Sequence, residues 1–254
     1  VMGEHWYSRA GEPAYEQITL KGGTRATDIR DARKIGLLPS VTTVLAVMAK
    51  PALDVWKVKQ GILAALTLPR RQGESDDDYL ARVLKDSGEQ AKAAAEEGTR
   101  IHDACEAYYK DGYASTGPYI LHVRAVSAEL KRLFPNVSDW VSERSFGHSD
   151  GFGGKVDLHS PSTGVVVDFK GKDGDFTDGK KLAWDQNFQL GGYRRGLGLP
   201  RNVAANIFVS RTHPGKVASH IWTPEEVDYG QAVFLAALRL WQTIKKYDSS
   251  YSQQ

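Results

Sequence analysis

An α/β fold, with a helical lobe wrapped round a core of strands and helices, follows from two changes in hydrophobic spacing and one block of capping signals. From residue 51 to 134 apolar residues recur at helical intervals, whereas from Trp140 to Lys170 they alternate as in half-buried strands. Helical spacing returns at Leu182–Leu197, and strand-like runs follow at Val203–Ser210 and Val217–Trp222. Thr223-Pro224-Glu225-Glu226 then opens a last helix with both residues of a capping box. There is no internal repeat. The order divides the chain into residues 1–135, short strands plus the lobe, and residues 136–254, the core, packed as one integrated domain.

Taken in order, the chain up to Leu38 mixes β-like pieces, His5-Trp6-Tyr7 and Gln17-Ile18-Thr19-Leu20, with glycine turns. Pro51 suits the first position of a helix running through Leu66, where its missing N–H is not needed. Ser75 with Asp78, and Ser87 with Gln90, each match a capping box. The second box is expected to start a long helix through His102 and Tyr109, ended by Gly112, which tolerates the left-handed conformation of a helix end. Tyr119–Phe134 forms a further amphipathic helix, closed by Pro135.

Composition limits the function. The apolar fraction is 41% and the charged fraction 25%, so a sizeable core can be buried. A net charge of +2 permits a polyanionic partner only through a local basic patch. Lys172, Lys180 and Lys181, followed by Arg194, Arg195 and Arg201, are the candidates. The one cysteine, Cys105, excludes an intramolecular disulfide and any cysteine-cluster site, iron–sulfur included. No apolar run reaches the roughly 20 residues of a membrane span and no signal peptide is evident, so a reducing, cytoplasmic setting without a membrane partner is expected.

The most informative segment is a hairpin. Gly153 to His159 leads through Ser160-Pro161-Ser162-Thr163-Gly164 into Val165 to Lys170, where Val166, Asp168 and Lys170 share one face. With Ser162 and Thr163 at the tip, antiparallel register pairs residues whose numbers sum to 325, which sets Asp157 opposite Asp168. Opposed like charges destabilise a sheet. A hard divalent cation such as Mg²⁺ or Mn²⁺ resolves the repulsion, and Lys170 on the same face offers a charge for an anionic substrate. A solvated face, with Lys170 offsetting the aspartates, is the plainer alternative.

Two helical motifs fit the same site. Gly98 inside a helix costs roughly 1 kcal/mol against alanine, which argues for close backbone approach of a neighbour. His102 and Glu106, four apart, share a face, and His102 can supply a third ligand; the other histidines read as structural. Gln189 and Tyr193 are likewise four apart, and Gly191 and Gly192 between them call for close approach.

Together these pieces resemble the PD-(D/E)XK nuclease superfamily and, within it, the RecB-like exonuclease branch. The matching residues are Gly98-x-x-x-His102, Glu143 in the strand before the hairpin, Gly154-x-x-Asp157, Asp168-x-Lys170 and Gln189-x-x-x-Tyr193. Pro39-Ser40-Val41-Thr42 is similar to an element of phage nucleases of this branch and of the mitochondrial genome maintenance exonuclease. The resemblance implies a restriction-endonuclease-like core with a mixed central sheet flanked by helices. It implies one or two Mg²⁺ or Mn²⁺ ions held by His102, Asp157, Asp168 and the main-chain carbonyl of Phe169. Asp157, Asp168, Lys170 and Glu143 would be catalytic, with Glu143 the position where branch members differ. Gln189, Tyr193, Ser40 and Thr42 would contact nucleic acid. DNA is the implied partner, a single-strand annealing or binding protein is compatible, and a phage-encoded member would work in the bacterial host cytoplasm. The iron–sulfur cysteines of some relatives are missing, and so is a phosphate-binding loop, so the chain is not expected to be an ATP-driven helicase.

The activity so implied is phosphodiester hydrolysis leaving a 5′-phosphate, from DNA ends. A structure-specific or restriction-type endonuclease, a non-catalytic nucleic-acid-binding module and a small-molecule metallohydrolase are the rival readings.

Overall fold

In the computed structural model, which describes residues 4–49, 51–112 and 116–251, a five-stranded sheet forms the centre of the molecule. Its strands are β5 (Val141–His148), β6 (Phe152–His159), β7 (Val166–Lys172), β8 (Ala204–Ser210) and β9 (Val217–Trp222), in that spatial order. The β7–β8 pair is parallel and the other pairs are antiparallel, so the sheet is mixed. The β7–β8 crossover is made by helix α6 (Gln186–Leu197), as parallel neighbours require.

Helices cover both faces. On one side α4 (Asp76–Asp111) and α5 (Ile120–Leu133) bury Ile101, Val123 and Val126 against Leu158, Val167 and Ile207. On the other, α2 (Val41–Leu45), α6 and α7 (Pro224–Lys245) bury Val44, Leu190 and Phe234 against Val156, Val166 and Phe208. Strand β8 is buried along its whole length and reads as a near-continuous apolar run for that reason, while β7 is buried from Val166 to Phe169. Among the described residues no helix is long and apolar enough to cross a membrane.

The N-terminal part is knitted into this core. Strand β1 (Trp6–Tyr7) pairs with β4 (Leu38–Pro39), while β2 (Glu16–Ile18) and β3 (Thr24–Ala26) form a separate ribbon. Ser40 bridges to Gly153 at the start of β6. Helices α1 (Ile29–Ile35) and α2, each capped by a side chain (Asp28 and Ser40), were not expected from periodicity, because elements of 7 and 5 residues are too short to show it. Helix α3 (Pro51–Thr67) packs on the first part of α4 through Ala64 and Val83, and the Tyr79 hydroxyl donates to the Ala65 carbonyl at 2.7 Å.

Helix α4 corrects one expectation. It starts at Ser75, whose hydroxyl accepts from the Asp78 N–H, and runs 36 residues without a break, so Ser87 lies in its interior and caps nothing. The Asp78 carboxylate accepts from the Ser75 hydroxyl at 2.6 Å rather than closing the reciprocal half of the box on the cap N–H. Gly112 ends the helix at φ 78° as expected. The close approach of α4 to β7 is provided by Gly171 rather than Gly98: a Cβ on Gly171 would come within 3.2 Å of the Gly98 Cα, whereas a Cβ on Gly98 would meet only the Arg211 side chain at 3.9 Å.

Candidate active site

The hairpin has the expected register, and the register breaks at the residue that matters. Leu158 pairs with Val167 and His159 with Val166, both on the sum of 325. Pairing stops there. Asp157 occupies the place of the next rung, and its Oδ2 accepts the Phe169 N–H at 2.8 Å. Val156 packs into the core on the α6 side while Leu158, two residues on, packs into the core on the α4 side. Strand β6 therefore rolls over at Asp157. On the other flank β5 yields in the same place: Ser142 pairs with Leu158 and Arg144 with Val156, while Glu143 between them stands unpaired at φ 55°. A non-glycine residue there is sparsely populated and strained. The simple opposed pair anticipated for Asp157 and Asp168 is thus replaced by two carboxylates served from different layers.

Asp157 is served by α4. His102 Nε2 lies 2.8 Å from Asp157 Oδ2, and His102 Nδ1 lies 3.2 Å from Glu106 Oε1, the two partners one helical turn apart. The Phe169 ring meets the imidazole edge-on and holds its plane. Glu106 is 1% exposed, and neither of its oxygens closes a hydrogen bond. Lys155 Nζ, 3.5 Å away, gives its short contact of 2.7 Å to Glu143 instead. Ligand-capable atoms of His102, Glu106 and Asp157 all lie within 4.8 Å of one another.

Asp168 is served by α6 and β8. Its Oδ1 accepts from Lys170 Nζ and Gln189 Nε2, both at 2.9 Å, and its Oδ2 accepts from Asn206 Nδ2 at 2.7 Å. Trp222 Nε1 in turn donates to Asn206 Oδ1 at 2.8 Å, fixing the amide. Gln189 Oε1 receives a second Lys170 hydrogen bond at 3.2 Å, and Gln189 Nε2 donates to the Tyr193 hydroxyl at 2.7 Å. Gly191 permits this geometry because the backbone of Gly230 and Gln231 on α7 occupies the space a Cβ would need.

The electrostatics follow from burial opposed by charge. Burial pulls His102 down, but Asp157, then Glu106 and Asp168, lift it to about 9. Burial raises Glu106 to about 8, assisted by the neighbouring carboxylates of Glu143 and Asp157. Burial likewise raises Asp168 to about 6 against the pull of Lys170. Asp157 is held below its ordinary value, since His102 outweighs the cost of burial there. Lys170 is held above its ordinary value, the adjacent aspartates prevailing over burial.

The remaining anticipated residues sit at varied distances from this centre. Glu143 stands at the border, hydrogen-bonded to Lys155 and driven down to about 2 by Glu106 and Lys155. Ser40 is 4% exposed and its hydroxyl caps α2, so it is occupied within the chain, whereas Thr42 is exposed. Tyr193 is 5% exposed and lies behind Gln189. The expected basic patch is largely neutralised: Arg194 pairs with Asp228, Arg195 with Asp150 at 3.0 Å, Arg201 with Glu225 and Asp228, and Lys180 with Asp178. Lys181 instead covers the ring of Trp184, which is 62% exposed just before α6. Glu106 as a member of the site, Asn206, Lys155 and Trp222 were not assigned from sequence. Asn206 had a signal, as the one amide in an otherwise apolar run from Val203 to Val209.

Comparison with known proteins adds little. No family model matches the chain, and no curated protein matches it. Among solved structures, one titled "Crystal structure of SSO0001" aligns at 15% identity over 79% of this chain and 89% of that one, with a TM-score of 0.30. A score that low carries no argument.

Proposed function

We propose that the chain is a divalent-metal-dependent DNA exonuclease with a restriction-endonuclease-like core of the PD-(D/E)XK type. One observation carries the reading. The Glu106 carboxylate is buried without a hydrogen bond, beside His102 and Asp157, and one strand away from the Asp168–Lys170 pair. A buried ionisable group left in this way costs roughly 1–3 kcal/mol or more, and a cation removes the cost. The donor set, two carboxylates and an imidazole, fits Mn²⁺ or Mg²⁺. His102, Asp157 and Glu106 would hold the ion, with Asp168 and the Phe169 carbonyl as the additional oxygens the resemblance supplies. A bound divalent ion would lower the pKa of a water and offset phosphate charge.

The protein's own groups do the rest. Lys170, tied to Asp168 and Gln189 yet with about a third of its side chain exposed (32%), presents a fixed ammonium to an incoming phosphate and steadies the charge that builds on its oxygens. Gln189 and Tyr193 hold that ammonium in place, so both are positioning residues. Asn206 and Trp222 fix the far oxygen of Asp168. Thr42, whose hydroxyl bonds to that of Ser40, and Trp184, one face of which carries Lys181, are exposed where the strand would run. Hydrolysis on this plan leaves a 5′-phosphate, and DNA is the partner.

The test is digestion of end-labelled single- and double-stranded DNA with Mg²⁺, Mn²⁺ or EDTA, beside a covalently closed circle. Metal-dependent shortening of the linear strands with the circle intact is expected. Cutting of the circle would replace the exonuclease with an endonuclease. Binding of DNA with no cleavage in either metal would leave a non-catalytic module.

A further inference from the structure

A cavity of about 550 Å³ lies on the α2–α6–α7 side of Lys170, and the catalytic plan above gives its interior no role. It opens on the site itself, because Lys170 and Gln189 form part of its wall. Its size falls within the range of small-ligand pockets, roughly 300–1,000 Å³.

The lining dictates the occupant. Leu45, Met48, Phe188 and Trp241 supply an apolar, partly aromatic interior. The charged groups away from Lys170 are unsuited to a phosphate: Glu4 and Asp185 are acidic, and Lys245 is held by Glu4 at 3.0 Å. Acids and the Gln186 amide instead suit a flat, neutral heterocycle that carries N–H donors. A phosphate attached to it would then reach the Lys170 ammonium at the mouth, which Asp168 and Gln189 hold in place and which stays about a third exposed (32%).

We propose that this cavity holds one nucleobase of the strand being cut, next to the scissile phosphate. The proposal names a base-binding subsite for the nuclease reading above and rests on it. It makes the substrate a strand whose base can leave its stack, at a single-stranded segment or a frayed end. Phe188 supplies the stacking surface, and the acids and amide of the wall face the edge of the base.

The experiment is titration of the protein in EDTA with thymidine 5′-monophosphate and with 2-deoxyribose 5-phosphate, followed by calorimetry. The nucleotide is expected to bind about tenfold tighter or more, the scale of one base–aromatic stack. Ala46→Trp, which fills the cavity from the α2 side, should erase that preference. Phe188→Leu should cut nucleotide affinity about fivefold or more while leaving the sugar phosphate unchanged, which a general loss of fold would not do. A short single-stranded oligonucleotide should displace the nucleotide. Equal affinity for the two ligands, a preference that survives Ala46→Trp, or no displacement by the oligonucleotide would overturn the assignment. A base-dependent site in a protein that cleaves no DNA would sink the nuclease reading and leave the cavity a nucleotide site. Cleavage without base-dependent binding would do the reverse.

Discussion

The two sides of the sheet treat their carboxylates in opposite ways. On the α6 side Asp168 accepts three hydrogen bonds, from Lys170, Gln189 and Asn206, and each donor is itself braced. On the α4 side Glu106 accepts none, although it is as deeply buried as Asp168 and has a carboxylate and an imidazole against it. Saturated buried polar networks rigidify, and unsaturated ones mark a missing partner. On the proposed reading, the α6 side positions Lys170 and Asp168, and the unsatisfied α4 side is where the cation would find its ligands.

The largest expected effect breaks the saturated side. Lys170→Ala, or Asp168→Ala, should lower cleavage of labelled DNA about 10³-fold and also lower the melting temperature, since each leaves buried partners of the network unsatisfied; normal cutting by either variant would refute the site. On the other side, Glu106→Gln should weaken Mn²⁺ binding by about 10- to 100-fold in calorimetry, yet raise the melting temperature of the metal-free protein, because it removes a buried carboxylate that no hydrogen bond satisfies and that faces the charge of Asp157. The signs should therefore differ across the sheet, and destabilisation by Glu106→Gln would erase the contrast.

The pH dependence sharpens the same point. Glu106 rises from its ordinary 4.5 to about 8 in the fold, so the folded state keeps a proton that the unfolded state has released. Its contribution to stability is present below the ordinary value and is lost as pH rises through about 8. In EDTA the melting temperature should fall from about pH 5 to pH 8, and Glu106→Gln or saturating Mn²⁺ should flatten that slope. His102, raised to about 9, adds in the same sense toward its own value. A smaller effect is expected at the rim: Trp184→Ala should weaken single-strand binding about fivefold or more, read by fluorescence anisotropy. Smallest is Arg201→Gln, whose guanidinium is already paired with Glu225 and Asp228; binding and its salt dependence should shift less than about twofold.

Much of the fold was legible because period and capping are local. The helix around His102, the five strands of the sheet, the register of the hairpin and the cap at Thr223 all follow from spacing within a few residues. The short helices α1 and α2 were not legible, since 5 to 7 residues carry no readable period, and Ser87 misled because its box matches a pattern that tertiary packing overrode. For the site, Asp157, Asp168, Lys170, His102, Gln189 and Tyr193 do converge on one region. The arginines from 194 to 201 were read as phosphate contacts, and their acidic partners on α7 and at Asp150 lie 24 to 45 positions away in the chain, beyond any local pattern.

By itself the sequence determined the alternation that puts Asp168 and Lys170 on one face, and the helical turn that puts His102 over Glu106, because both depend only on the fixed repeat of a strand and a helix. The tertiary structure alone decided which carboxylates are satisfied. The roll of β6 at Asp157, the left-handed Glu143 beside it and the crossing of α4 over β7 at Gly98 and Gly171 turned Asp157 toward α4 and left Asp168 to α6. Hydrogen-bond satisfaction is a property of which distant groups arrive at one place, and no spacing along the chain encodes it.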